Sequence, residues 1–384
     1  MKKIAIMGLC NYENMGDQII ARTVDYLVRQ CGEEYDPYYV NFQPDRKGVR
    51  YENYKEMRKK VESHNPDEIE HKRIYDIMYW FVSPYYEEML KNADALIFMG
   101  GSFKYRTQNV WATYSIALEY AKKFNIPVMF NAMNIQDYDD YDWRCQLLKE
   151  HANFSCVKLI TSRDGISGVE KLKNYYIENS DIKLFPAGDP AFWSKECYNY
   201  INVEKKDIIG INLIRGDVFL DYGLEVTEEE LLIFYEEIIK ELTKKGYNWE
   251  LFTNGMKADF LFGEKVLAKC NMENLNKIYI ANSDEDCVKN IAKYKGIIAA
   301  RLHAGIVAYS LNIPIAGFIW DEKLVHFSEM AKLNKSFCNV NELKGKIIVE
   351  KLEEAMLLKY DEENKYLWKR YTFETIRMFL ESEI

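Results

Sequence analysis

The stretch Gly296-Ile-Ile-Ala-Ala-Arg-Leu-His-Ala-Gly-Ile-Val-Ala-Tyr-Ser-Leu-Asn-Ile-Pro314 decides how this chain is read. Its apolar run Gly296–Ala300 has strand character, Ala304–Leu311 has helix character, and a second apolar run, Ile313–Phe318, follows. Strand, helix and strand in that order form the unit from which parallel sheets are built. Arg301 and His303 fall where the first strand gives way to the helix. In open α/β sheets ligands bind at those carboxyl ends. A guanidinium placed there holds an anion, helix N–H groups add to the grip, and an imidazole can move a proton.

The same alternation extends along the chain in both directions. Predicted strands are Lys3–Gly8, Tyr38–Phe42, Ala95–Met99, Pro127–Asn131, Lys158–Thr161 and Lys183–Phe185, then Ile208–Leu213, Trp249–Phe252 and Lys277–Ile280 ahead of the opening stretch. Predicted helices lie between them, at Gly16–Gln30, Arg73–Asn92, Asn109–Phe124, Asp140–Ala152 and Asp164–Tyr175, then Thr227–Lys244, Asp259–Lys269, Asp284–Lys293 and Lys323–Leu333. Parallel sheets covered on both faces follow from such a series. It pauses at Pro186-Ala-Gly-Asp-Pro190 and the polar, aromatic stretch Trp193–Lys206. Two Rossmann-like α/β domains are therefore expected, 1–192 and 193–384, facing a central cleft. The last helical pattern, Lys351–Glu383, is expected to cross back over the first domain.

Bulk properties narrow the classes. At 384 residues the chain exceeds what one core usually serves. A composition 48% hydrophobic and 14% aromatic excludes extended disorder, and a net charge of -9 argues against nucleic acid or an anionic membrane surface as partner. The eight cysteines are scattered, with no C-x-x-C pair and no zinc spacing, so no metal and no cofactor is expected. No window approaches the roughly 18 apolar residues of a membrane span, and the apolar start Met1-Lys-Lys-Ile-Ala-Ile-Met-Gly8 soon turns polar. A cytoplasmic location is the expectation.

Further candidates sit at other strand ends. Gly8-Leu-Cys-Asn-Tyr-Glu-Asn-Met-Gly-Asp17 matches neither the dinucleotide glycine fingerprint nor a P-loop. Asn14, Gly16 and Asp17 either shape a loop that meets an anion or hydroxylated ligand, or simply cap the next helix, and capping is the commoner role. In Phe98-Met-Gly-Gly-Ser-Phe103, Gly100 and Gly101 allow close backbone approach beside the Ser102 hydroxyl; a tight turn would use the same glycines. In Ser162-Arg-Asp164, Arg163 either grips a phosphate or carboxylate or pairs with Asp164. Asp189-Pro190 reads equally as a turn. Arg215, in Asn212-Leu-Ile-Arg-Gly216, points toward the same expected cleft as Arg301, and two converging arginines call for an anion between them. Lys323, in Trp320-Asp-Glu-Lys323, is either a third cationic contact or a solvated residue beside a capping Asp321. His64 and His71 lie in a charged stretch expected to be exposed, His151 near a helix end, and His326 one helical turn from Lys323.

Assembled, these residues resemble the polysaccharide pyruvyl transferase family. The likeness is carried by Asn14-Met-Gly-Asp17, Gly100-Gly-Ser102, Ser162-Arg-Asp164, Asp189-Pro190, Arg301-Leu-His303, Asn312-Ile-Pro314, and Trp320-Asp-Glu-Lys323 with Phe327. Two features depart from the pattern: Ser102 stands where many members have a third glycine, and the segment 43–91 has no match. The resemblance implies a GT-B-like fold and transfer of a pyruvate ketal from phosphoenolpyruvate to two sugar hydroxyls. The acceptor would be a capsular, extracellular or cell-wall polysaccharide or a lipid-linked precursor. It further implies that Arg301, Leu302 and His303 contact phosphoenolpyruvate, with Arg215 and Lys323 as added cations. His303 would be the acid, and Asp17 or Asp164 the base. The second domain would then hold the donor and the first the acceptor. A glycosyltransferase using a nucleotide-sugar donor, and a family member that binds without catalysing, are the competing classes.

Overall fold

The computed structural model describes residues 1–61, 67–106, 109–199, 203–272 and 277–384; His64 lies outside them. The chain forms two compact units. The first comprises Met1–Cys10, Val24–Gly188 and Arg370–Ile384, and the second Asn11–Thr23 and Asp189–Lys369. The main division thus falls between Gly188 and Asp189, and the end of the last helix belongs with the first unit.

The first unit is built on β1 (Lys2–Gly8), β2 (Tyr35–Asn41), β3 (Ala95–Phe98), β4 (Gly101–Phe103), β5 (Val128–Ile135), β6 (Val157–Ser162) and β7 (Lys183–Pro186). Their order is β2-β1-β3-β5-β6-β7, with β4 paired to β5. The second sheet runs β10-β9-β8-β11-β12-β13, from β8 (Ile208–Asn212), β9 (Asn248–Thr253), β10 (Ile278–Ile280), β11 (Gly296–Ala299), β12 (Ile315–Phe318) and β13 (Phe337–Cys338). The ladders are parallel, with register fixed by pairs such as Ile297↔Ile315 and Ile297↔Gly210. Every residue of β3, β11 and β12 is buried, as continuous apolar runs covered on both faces require.

Strand order reverses between β1 and β3 in one sheet and between β8 and β11 in the other. A crevice opens at such a switch point outside the strand ends. The loop bearing Gly100 follows β3, while Arg215 and Arg301 follow β8 and β11, so the residues chosen from sequence flank the reversals.

Some elements differ from the sequence expectation. The segment 43–91 contains a helix, Gly48–Val61, and a second, Glu68–Leu90, which starts ahead of Arg73 behind a capping box of Asp67 and Glu70. Pro84 lies inside that helix and has no N–H for the Trp80 carbonyl. Arg50 supplies the donor instead, bonding Trp80 O and also Phe81 O at 3.2 Å. The closing pattern is two helices, Gly345–Leu357 and Glu362–Glu383. Between them Tyr360 turns inward and its hydroxyl donates to Ile313 O at 2.6 Å, so packing interrupts a helical periodicity. β4 and β13, three and two residues long, escaped prediction because no hydrophobic period develops over so few positions.

Candidate functional site

The second unit brings most of the candidate residues together. Arg301 follows β11 in extended conformation, and its backbone N–H donates to Asn212 Oδ1 at 2.8 Å, tying the ends of β11 and β8. Its guanidinium makes two bonds to Asp259, Nε to Oδ2 at 2.8 Å and Nη2 to Oδ1 at 2.6 Å. Asp259 is fully buried and also accepts the Arg215 backbone N–H at 2.9 Å. A fork-to-carboxylate pair of this kind fixes the guanidinium plane and leaves Nη1 on its outer side. Sequence reading missed Asp259, which showed only as the first residue of a predicted helix.

The other two cations are also paired. Arg215 bonds Asp217 Oδ1 at 2.7 Å and Asp221. Burial alone would lower the Arg215 guanidinium, but the bond to Asp221 and the charges of both carboxylates raise it. Lys323 Nζ lies 2.7 Å from Asp321 Oδ2 and stands over the Trp320 ring at 5.2 Å. Asp321 caps the helix Glu322–Met330 by accepting the Lys323 backbone N–H at 3.1 Å. Burial pushes the Asp321 carboxyl up, but the Lys323 ammonium and these hydrogen bonds outweigh it and hold the group low. This corrects the argument from converging arginines. Each cation has a carboxylate of its own, so no foreign anion is needed to relieve repulsion.

His303 lies two residues beyond Arg301, in the first turn of the helix Leu302–Ser310, its side chain 11% exposed. Nε2 lies 3.7 Å from Asp189 Oδ2 and has no hydrogen-bond partner among the described residues. The other edge of the ring abuts Gly16, where a Cβ would stand 2.3 Å from His303 Nδ1. Sequence reading placed Asn14, Gly16 and Asp17 in the first domain, yet Asn11–Thr23 belongs to the second unit. Met15 N donates to Asn254 O at 2.9 Å, Arg22 reaches Asp284 at 3.3 Å, and Met15 and Ile19 enter the second core. Asn14 Oδ1 accepts the Gly16 N–H at 3.2 Å and Nδ2 donates to Asp17 Oδ2 at 3.1 Å. These are the bonds of the capping reading. Leu302 is buried in the same core, so the groups it offers outward are those of its backbone.

A cavity of about 900 Å³ is walled by Tyr222, Phe234, Trp320, Asp321 and Asn339. Its lining carries Glu225, Glu230, Glu237 and Glu322 as well, and neither lysine nor arginine.

The remaining candidates belong to the first unit. Gly100 and Gly101 adopt φ +135° and +126°, a region closed to other residues at ordinary cost. Gly101 and Ser102 form part of β4. Arg163 is buried after β6. The Asp164 carboxylate accepts from Asn134 Nδ2 at 2.9 Å and Ile135 N at 2.6 Å, and makes no side-chain cap to the helix Gly165–Lys171. His71 is half-buried, edge-on to Trp111, where exposure was expected. His151 is buried beside Phe154. His326 lies 3.8 Å from Glu322, its own helical neighbour. These three fit structural roles.

Fold and site together define a two-unit, GT-B-like α/β protein with its charged residues at sheet switch points. Solved structures agree on the fold. UDP-GlcNAc 2-epimerase from Methanocaldococcus jannaschii superposes with TM-score 0.59 at 13% identity, covering 100% of both chains. MnaA of S. aureus, in a co-structure with UDP, gives 0.56 at 13% identity over 99% of this chain and 97% of that one. The Neisseria meningitidis UDP-GlcNAc 2-epimerase bound to UDP-GlcNAc gives 0.55 at 11%, covering 100% and 99%. No curated protein sequence matches the chain. The family profile of polysaccharide pyruvyl transferases matches residues 14–322, and the chain belongs to that family. No helix among the described residues is long and apolar enough to cross a membrane.

Proposed function

We propose that this transferase moves a pyruvate ketal from phosphoenolpyruvate to two hydroxyls of a saccharide, in the cytoplasm and without a cofactor. The observation that carries the reading is the junction after β11, in a chain of this family: an arginine locked by Asp259 beside a histidine whose Nε2 is buried without a partner. Phosphoenolpyruvate is planar at its reacting carbon and carries a carboxylate and a phosphate. Arg301 Nη1, the backbone N–H groups of Leu302 and His303, Arg215 and Lys323 offer the cationic and dipolar contacts such a molecule needs.

His303 gives a proton to the methylene carbon, which becomes the methyl group. A sugar hydroxyl then bonds to the adjacent carbon and loses its proton, and this proton restores His303. The bond to phosphate breaks with its electron pair on phosphate, and the arginines stabilise that charge. The second hydroxyl closes the ketal, its proton leaving with phosphate. Asp17, next to Gly16 in the first turn of the helix Met15–Cys31, is assigned the relay of a hydroxyl proton. Gly100, Gly101, Ser102 and Arg163 are assigned to saccharide binding in the first unit.

The test is incubation with phosphoenolpyruvate and a panel of sugars, following phosphate release and product mass. Ketal product with a mass gain of one pyruvate less one water is expected. Protection against thermal unfolding by UDP and none by phosphoenolpyruvate would overturn the reading in favour of a nucleotide-sugar donor.

A further inference from the structure

We propose that Asn212 and Asn254 are positioning residues for anion binding, forming a side-chain relay that sets the backbone at Arg301 and ties it to the start of the helix Met15–Cys31. Asn212 ends β8, whose other residues Ile208-Ile-Gly-Ile211 are apolar, and it is fully buried. An apolar side chain would continue that pattern, whereas a buried amide costs free energy unless its polar atoms are paired. All of them are paired here. Oδ1 accepts the Arg301 N–H at 2.8 Å, and Nδ2 donates to Asn254 Oδ1 at 3.1 Å and to Phe252 O at 3.3 Å. The Asn212 carbonyl accepts from the Tyr235 hydroxyl at 2.9 Å.

Asn254 follows β9 and is 1% exposed. Its Oδ1 holds Asn212, while its backbone carbonyl accepts the Met15 N–H at 2.9 Å. Gly255 then turns the chain at φ +94°, where a Cβ would stand 2.4 Å from Glu13 O. That approach of two backbones leaves no room for a side chain. The ends of β8, β9 and β11 and the start of the helix Met15–Cys31 are thus joined by one run of hydrogen bonds, all of it inside the second unit.

The relay fixes the part of Arg301 that Asp259 does not. The Asp259 carboxylate holds the guanidinium, and the Asn212 amide holds the backbone N–H. Arg301 stands at the N-cap of the helix Leu302–Ser310 without a side-chain cap bond, so its side chain does not consume the Leu302 and His303 N–H groups. Those groups can meet an anion, and their direction follows the backbone at Arg301. Within the pyruvyl-transfer reading, on which this inference rests, Asn212 and Asn254 aim them at phosphoenolpyruvate without touching it.

The experiment uses the full chain and three variants. Asn212→Leu keeps the size of the side chain and removes the relay. KM for phosphoenolpyruvate should rise about tenfold or more with kcat within about threefold, because contacts shared by ground and transition states are lost. Asn212→Asp keeps an acceptor for the Arg301 N–H, and Asn254 Nδ2, buried without a partner among the described residues, turns to donate to it. KM there should return to within about threefold of the wild type, a rescue that packing alone would not give. Asn254→Ala leaves Asn212 Nδ2 with Phe252 O alone and should raise KM about fivefold; it carries the test if Asn212→Leu does not fold. Hydrogen exchange of the Arg301 amide, read by NMR, should quicken about tenfold in Asn212→Leu and Asn254→Ala and match the wild type in Asn212→Asp. An unchanged KM in both relay-breaking variants, or Asn212→Asp as impaired as Asn212→Leu, would overturn the inference. If the wild type fails to use phosphoenolpyruvate, the function proposed above is lost, while the exchange rates still decide this inference: wild-type exchange at Arg301 in both relay-breaking variants refutes it.

Discussion

The Arg301–Asp259 pair makes a quantitative demand on stability. Asp259→Asn removes the charge opposite a guanidinium whose side chain is only 16% exposed, while keeping the shape and one acceptor oxygen. Breaking a buried ion pair from one side costs about 3–5 kcal/mol because the remaining charge stays desolvated. Partial exposure and the retained oxygen reduce this, so about 2–4 kcal/mol is expected. Arg301→Met leaves Asp259 buried and unpaired, with a cost of the same order. The double variant leaves neither charge stranded, so it should be more stable than the sum of the singles implies, with a coupling of about 2 kcal/mol. Urea unfolding of all four proteins, followed by circular dichroism and by tryptophan fluorescence, measures the cycle. Asp259→Asn within about 0.5 kcal/mol of the wild type, or additivity to that margin, would refute the claim that Arg301 is held by this carboxylate.

Three further outcomes are expected. His303→Ala should abolish transfer yet cost at most about 1–2 kcal/mol of stability, since Nε2 gives up no hydrogen bond; near-normal turnover would remove His303 from the mechanism. Burial, helped by the Lys122 charge, holds His151 neutral down to about pH 4, against 6.5 ordinarily. Above pH 6.5 neither state binds its proton, but as pH falls toward 4 the unfolded chain takes one that the native site refuses. Stability should then drop by about 2 kcal/mol between pH 7 and 5 from this residue, and His151→Phe should lose that part of the pH dependence in urea titrations. Gly101→Ala forces an alanine to φ +126° and should destabilise by about 1–3 kcal/mol in the same assay; a neutral effect would show that the loop relaxes freely.

Much of the fold was legible because it is written locally. Fully apolar runs such as Gly296–Ala299 and amphipathic spans such as Glu228–Lys244 announce themselves within a few residues. The helix Gly48–Val61 did not, because its sequence is charged along most of its length and buries only Tyr54 and Arg58. The break at Leu358–Asp361 was hidden for the opposite reason: its periodicity is helical, and a distant carbonyl at Ile313 decides otherwise. At the site, Arg301 and His303 were found from their place at a strand end. Asp189 was seen as a turn and a family motif without a partner, and Asp259 only as the start of a predicted helix.

By itself the sequence determined the alternation of strand and helix, the two-unit class, the family, and the residues at the carboxyl ends of β8 and β11. Hydrophobic period and motif order encode those, and both survive without knowledge of contacts. Only the tertiary structure decided which charge meets which. Asp259 lies 42 positions from Arg301, and Gly16 and Asp189 reach His303 from far earlier in the chain. Strand order, set by sheet topology, juxtaposes such residues, and pairing in a buried site depends on ångström distances that no local pattern records.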